Sequence, residues 1–216
     1  MRKIAPPTVL LAFLVISACL SARAQQVVDR IVARIEGDVI LLSDVEKLSH
    51  YQQFLDGKSQ SNEEILQLLI DQWVVRTEAQ TSRFPAPSAS DVQRNVERIK
   101  KSFASPQEYE ARKTEAGLTD AEISEMAGAQ LYLSNYLDSR FRPSVQIDAK
   151  AIEDYYQTGV VARAKAGGVQ PPAFEAARGL IQEFLVQQGI NDEANRWLKE
   201  SRNGLHVENL LAAGAK

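Results

Sequence analysis

Residues 31–46 read IVARIEGDVILLSDVE, and this stretch decides which kind of fold the chain adopts. From Ile31 to Ile35 apolar residues occupy every second position, which is the period of a half-buried strand. Gly37-Asp38 suits a tight two-residue turn, because glycine readily takes the positive φ that such turns require. Residues 39–42 then return as a second strand, so the stretch predicts a short β-hairpin.

A helix follows this hairpin almost at once. Ser43 and Glu46 have the spacing of a capping box, which places the start of the helix at about Ser43. Later helices are predicted from cap residues and from Pro143 and Gly204 as stop signals. Their predicted starts are Asn62, Ser90, Ser105-Pro106, Thr119 with Glu122, Asp148 and, for the last helix, Asn191.

The end of the chain supplies a partner for the hairpin. Residues 205–210 read LHVENL and alternate as a strand does. A two-stranded hairpin alone is only marginally stable in water, and a third strand would complete a small sheet. The predicted fold class is therefore mainly α, a multi-helix module with a small antiparallel sheet formed by the N-terminal hairpin and the C-terminal strand.

The first residues have the layout of a secretory signal peptide. Arg2 and Lys3 precede an unbroken apolar run at residues 9–16, and small residues follow. Ala22-Arg23-Ala24 fits a small-x-small cleavage site, so we expect a signal peptide at residues 1–24 and a periplasmic protein. The alternative is an outer-membrane lipoprotein, because the residues ending at Cys19 resemble a lipobox and an acylated Cys19 would anchor the chain.

The composition excludes some classes of function. Without the first 24 residues, Lys and Arg fall from 25 to 22 against 28 Asp and Glu, a net charge of about −6 that argues against nucleic acid as a partner. The chain has a single cysteine, Cys19, so the predicted mature chain relies on no disulfide.

No arrangement of catalytic or metal-binding residues is recognisable. The two histidines, His50 and His206, lie far apart in the sequence, and neither has the neighbours of a zinc-binding motif. Phosphate-binding, dinucleotide-binding and nucleophile-elbow motifs are missing as well. We therefore predict no catalytic residue, no metal and no cofactor.

Several segments together resemble the SurA-type periplasmic chaperone family. The most specific is VVDRIVARIEGDVILLSDVEK at residues 27–47, and ILQLLIDQWVVRTEAQ at residues 65–80 also looks alike. Further similarity lies in LYLSNYLDSRFRPSVQIDAKAIEDYYQ at residues 131–157 and in the closing segment from Ala173 to Leu210. The resemblance covers about residues 26–211 and implies that the final strand returns to the hairpin.

The chain departs from this family in one respect. Family members usually carry one or two parvulin-type prolyl isomerase domains before the closing helices. Here only residues 158–172 occupy that position, and 15 residues cannot form such a domain. We therefore expect a chaperone core at residues 25–211, with an N-terminal part at 25–157, a linker at 158–172, closing elements at 173–211 and a tail at 212–216. The linker is expected to be a loop, with a continued polar helix from Val160 to Lys165 as the alternative.

The resemblance implies an ATP-independent chaperone that binds unfolded exported proteins, above all precursors of outer-membrane β-barrels. The alternatives are a non-catalytic scaffold that reuses the fold and a prolyl isomerase with cryptic activity. Candidate client-binding residues are aromatic, and each has ordinary core packing as its alternative: Phe54, Phe103, Tyr109, Tyr132 and Tyr136. The shortened linker also predicts a possible domain-swapped homodimer, because tight hinges favour segment exchange.

Overall fold

The predicted hairpin is present, with its turn one residue earlier than expected. In the computed structural model, which describes residues 29–58 and 60–212, β1 (Ile31–Ile35) pairs antiparallel with β2 (Asp38–Leu41). The turn is Glu36-Gly37 instead of Gly37-Asp38, because Asp38 already pairs with Ile35. Glu36 is the residue that adopts the left-handed conformation, with φ of 53°.

The C-terminal strand closes the sheet as predicted. Strand β3 (Val207–Asn209) pairs antiparallel with β1, and the strand order is β2-β1-β3. Hydrogen bonds continue past the strand: the Leu210 N–H donates to the Val32 carbonyl at 2.8 Å. Leu211, one residue further, is buried against the hairpin. The sheet therefore joins residues at the two ends of the described chain.

The rest of the described chain is mainly helical, which confirms the predicted fold class. A 3-10 turn at Arg142–Ser144 and a π-helical turn at Tyr156–Val161 interrupt the α-helical series. No helix within the described ranges has the length and hydropathy to span a lipid bilayer. The α-helices are α1 (Leu42–Asp56), α2 (Asn62–Thr81), α3 (Ala89–Ser102), α4 (Pro106–Glu115), α5 (Asp120–Phe141), α6 (Ala149–Tyr155), α7 (Ala162–Ala166) and α8 (Phe174–Asn203).

The predicted capping box of α5 is confirmed. The Thr119 N–H donates to the Glu122 carboxylate at 2.8 Å, and the Glu122 N–H donates to the Thr119 hydroxyl at 3.2 Å. The reciprocal bonds satisfy two of the backbone donors that a helix start leaves open. At α4, Ser105 caps and Pro106 occupies the first turn, also as predicted.

Three other predicted helix starts are wrong by one or two residues. Ser61 caps α2 in place of Asn62, and Ser88 caps α3 in place of Ser90. At α1 the Leu41 N–H donates to the Asp44 carboxylate at 2.9 Å, so the box predicted at Ser43 does not form there. At α2 and α3 a neighbouring serine of similar capping ability takes the cap position, whereas at α1 the cap residue is Leu41 and the Asp44 carboxylate accepts the bond from its backbone N–H.

The closing segment is one helix where two were predicted. Helix α8 runs through Asn191 without a break, since Ile190, Ala194 and Leu198 continue one buried face past that residue. The segment predicted as a linker, residues 158–172, is only partly irregular: it contains most of the π-helical turn and all of α7. The expected signal peptide and most of the expected tail lie outside the described residues.

Candidate functional site

An open groove lies beside β2, between that strand and helices α1, α2 and α5. Its volume is about 520 Å³, which falls in the range of small-molecule and peptide sites. Among the strands of the described residues only β2 lines it, and β1 lies on the other side of β2, between β2 and β3. The groove is thus bounded on one side by a strand edge with no neighbour in the described chain.

Two helices form the long walls of this groove at helical spacing. Helix α2 contributes residues three and four positions apart, which share a face; they are Leu69, Gln72, Trp73 and Arg76. Helix α5 contributes Glu125, Met126, Ala129 and Gln130 in the same way. The walls therefore combine apolar side chains with amides and charges, which suits a ligand of mixed character.

Trp73 connects the groove wall to the hairpin. Its indole N–H donates to the Asp38 carboxylate at 2.7 Å, a bond between helix α2 and strand β2. The ring is half-buried and packs against the core beneath the sheet. This bond to a charged acceptor fixes the position of β2 against the helices.

A second polar bond spans the groove between α1 and α5. Lys47 Nζ lies 2.8 Å from Glu125 Oε1, and the two side chains are 35% and 68% exposed. An ion pair with this exposure contributes little to stability. It does neutralise both charges where they line the groove.

Arg76 differs from the other charged groups of the groove. It is exposed, and within the described residues no carboxylate lies within salt-bridge distance of its guanidinium group. Lys47 is paired with Glu125, and Asp38 accepts the Trp73 indole bond. The positive charge of Arg76 is therefore available to a ligand.

Three of the predicted client-binding residues form a separate aromatic cluster away from this groove. Phe54 and Tyr109 are buried and Phe103 is half-buried, and Tyr109 meets both rings edge-on at 5.4 and 5.5 Å. Such a geometry is typical of core packing. A client could reach Phe54 only if this cluster opened.

The other two predicted residues, Tyr132 and Tyr136, share one face of α5 and meet Phe84. The Tyr136 ring lies 5.5 Å from that of Phe84, and the Tyr132 ring lies 6.0 Å from it. Tyr136 is buried and its hydroxyl accepts a bond from Arg140 at 3.0 Å, whereas Tyr132 is half-buried. The structure brings this pair together but outside the groove, and its role in client binding stays a prediction.

The aromatic cluster has the clearest electrostatic shifts. Burial raises the pKa of Tyr51 to about 12. Burial and the nearby Asp120 carboxylate also raise the pKa of Tyr109, while a hydrogen bond from Lys113 lowers the pKa of Asp120. These shifts follow from desolvation and local ion pairs, so they indicate structure and not a catalytic group.

Sequence reasoning missed the groove because its residues come from four elements. Trp73, Val39 and Arg76 belong to no sequence motif, so no local pattern marks them as a site.

No group of three or more His, Cys, Asp or Glu side chains in the described ranges could hold a metal ion. His50 and His206 are exposed and lie on α1 and just before β3.

The comparisons with known proteins leave the family open. No family model matches this chain, and no curated protein matches it. Fold and site together define only a class: a mainly α-helical protein with a three-stranded antiparallel sheet and an open groove at one strand edge. The resemblance to the SurA-type chaperones remains an expectation from the sequence.

Proposed function

We propose that this protein is an ATP-independent periplasmic chaperone that holds unfolded exported proteins, in particular precursors of outer-membrane β-barrels. The observation that carries the proposal is the groove, which combines apolar walls, side-chain amides and a free strand edge. These are the groups that an extended polypeptide engages through its side chains and its backbone.

The physical character of the groove suits transient binding. It is open to solvent and only part of its lining is apolar, so a client gains a few dispersed contacts and no deep anchor. Barrel precursors alternate apolar and polar residues, and walls that carry both kinds of side chain can contact both. Weak contacts of this kind release a client without an energy source.

The test is suppression of aggregation. An outer-membrane β-barrel protein, unfolded in urea, is diluted into buffer with and without this protein, and light scattering is followed. We expect wild-type protein to lower the scattering, and Ala129→Trp to lose most of that protection because the ring fills the groove. Ala129 is exposed and lines the groove, so the change adds bulk without emptying the core.

The matched control is Ala121→Trp, an exposed position in the first turn of the same helix that does not line the groove. It should protect as well as wild type. If wild-type protein leaves the scattering unchanged, the chaperone role is wrong. If both variants protect equally, the groove is not the site of binding.

A further inference from the structure

We infer that clients bind by adding a strand to the open edge of β2 at Val39, and that a client carboxylate pairs with Arg76. This inference rests on the proposed function and specifies how its groove is used. It predicts a preference for extended segments that carry an acidic residue. Strand addition supplies affinity through backbone hydrogen bonds, so it places little demand on client sequence.

The hydrogen bonds of β1 show which backbone groups of β2 remain open. The Glu36 N–H donates to the His206 carbonyl and the Val32 carbonyl accepts from the Leu210 N–H, so even-numbered residues of β1 face β3. Antiparallel ladders alternate, and the odd-numbered residues of β1 must therefore face β2.

This alternation fixes the orientation of Val39. Ala33 and Ile35 pair with Ile40 and Asp38, so those two β2 residues use their N–H and C=O groups towards β1. Val39 lies between them and directs its own N–H and C=O away from β1, to the side where β2 has no neighbour in the described chain. Its side chain is 48% exposed and lines the groove.

The open edge is short. The Leu41 N–H already donates to Asp44 at 2.9 Å, and the helix α1 begins at the next residue. A client strand therefore gains one pair of backbone bonds, at Val39, together with contacts to the groove walls. A short edge also limits uncontrolled pairing of sheets.

Arg76 selects the kind of client, because the three carboxylates of the groove are already bonded: Asp38 to the Trp73 indole, Asp44 to the Leu41 N–H and Glu125 to Lys47. Arg76 has no carboxylate partner among the described residues, while Lys47 is already neutralised by Glu125. A guanidinium group binds a carboxylate in two-point contact, which an amide or a cation cannot reproduce. A segment with a glutamate or aspartate beside its apolar residues therefore fits best.

The same charge argues against a second copy of this chain as the occupant. A two-fold contact sets the same patch of both subunits against each other. It would bring two unpaired Arg76 groups to one interface, where like charges repel.

The experiment measures binding of a fluorescein-labelled synthetic peptide by anisotropy. The peptide alternates apolar and polar residues and carries one glutamate. Val39→Pro removes the outward N–H, and proline is tolerated where a strand N–H faces away from its partner strand. We expect the dissociation constant to rise about five-fold for Val39→Pro, since one backbone bond is worth about 1 kcal/mol.

Val39→Ala is the matched comparison, because it shortens the side chain that lines the groove and keeps the N–H; the affinity lost by Val39→Pro should exceed the affinity lost by Val39→Ala. Peptides N-methylated at alternate residues test the same bond from the client side. One methylation register should weaken binding and the other should not. Should Val39→Pro fail to fold, as seen by circular dichroism, these peptides decide the question with the wild-type protein.

Arg76→Gln tests the charge. It should lower the affinity for the glutamate peptide several-fold, to the level of the glutamine analogue, and leave the affinity for that analogue unchanged. If the peptide binds and neither Val39→Pro nor N-methylation changes its dissociation constant, strand addition is wrong while the chaperone proposal stands. If the protein neither binds the peptide nor suppresses aggregation, the proposed function itself is wrong. If Val39→Pro instead abolishes self-association in light scattering, the occupant is a second copy and the inference is wrong.

Discussion

The closure of the sheet by the end of the chain gives the sharpest prediction about stability. Leu211 is 6% exposed and packs in the apolar cluster that contains Val32 and Ile40. Beside it, Arg34 and Glu208 form an ion pair at 2.8 Å, with side chains that are 52% and 48% exposed. Burial and charge thus both connect the last strand to the first, and their contributions can be separated.

The expected magnitudes differ several-fold. Replacing a buried leucine by alanine costs about 2–5 kcal/mol, and a site near a chain end relaxes more easily, so we expect about 2–3 kcal/mol for Leu211→Ala. Breaking an exposed ion pair costs about 0.5 kcal/mol or less, which is the expectation for Glu208→Gln. For a chain of this size the first change lowers the midpoint of thermal unfolding by roughly 5–10 °C.

Urea unfolding followed by tryptophan fluorescence measures the free energy of unfolding of both variants. Trp73 and Trp197 report on this part of the fold, because they pack against the same apolar clusters as Leu205. The reasoning is refuted if Leu211→Ala and Glu208→Gln have the same free energy of unfolding. It is also refuted if Glu208→Gln is the more damaging change.

Two further predictions concern the buried Tyr51 and two glycines of helix α8. Tyr51 is buried and its hydroxyl has no hydrogen-bond partner among the described residues, so Tyr51→Phe should raise the free energy of unfolding by about 1 kcal/mol at pH 7. The pKa of Tyr51 is about 12 in the folded state and about 10 in the unfolded state, so wild type should lose stability as the pH rises from 10 to 12. Tyr51→Phe should lose less over the same range. Equal dependence of the unfolding free energy on pH in the two proteins would contradict this. On α8, an added Cβ at Gly189 would lie 2.6 Å from Val145, whereas at Gly179 it would meet nothing within 4 Å. Gly179→Ala should therefore raise the free energy of unfolding by about 0.5–1 kcal/mol. The free energy of unfolding of Gly189→Ala, measured in thermal melts, should be about 1–3 kcal/mol lower than that of Gly179→Ala. Equal effects would show that the segment around Val145 moves away without cost.

The features that could be predicted from the sequence are those set by local chemistry. Thr119 and Glu122 make their box, and Pro106 its helix start, because the partners are within four residues of each other. Closure of the sheet was predictable too, since a lone hairpin needs a third strand. Where two cap-forming residues are neighbours, as at Ser61 and Asn62, tertiary packing chooses between them and the sequence cannot.

The features that could not be predicted depend on distant contacts. Asn191 signals a helix start, yet a buried face that continues on both sides of it keeps α8 unbroken. The groove depends on how four elements meet, and no spacing along the chain encodes that. Client binding by the five predicted aromatic residues stays a prediction, and their packing in two separate clusters depends on tertiary contacts that the sequence pattern leaves open.

The partners in this sheet are far apart along the chain, and this separation orders events in time. Arg34 and Glu208, which meet across β1 and β3, are 174 positions apart. During synthesis, which proceeds from the amino end, one row of backbone N–H and C=O groups of β1 stays unpaired until β3 has been made. Closing so long a loop is also slow. A newly made copy therefore passes through a stage in which the edge of β1 that later pairs with β3 is open to pairing with other chains.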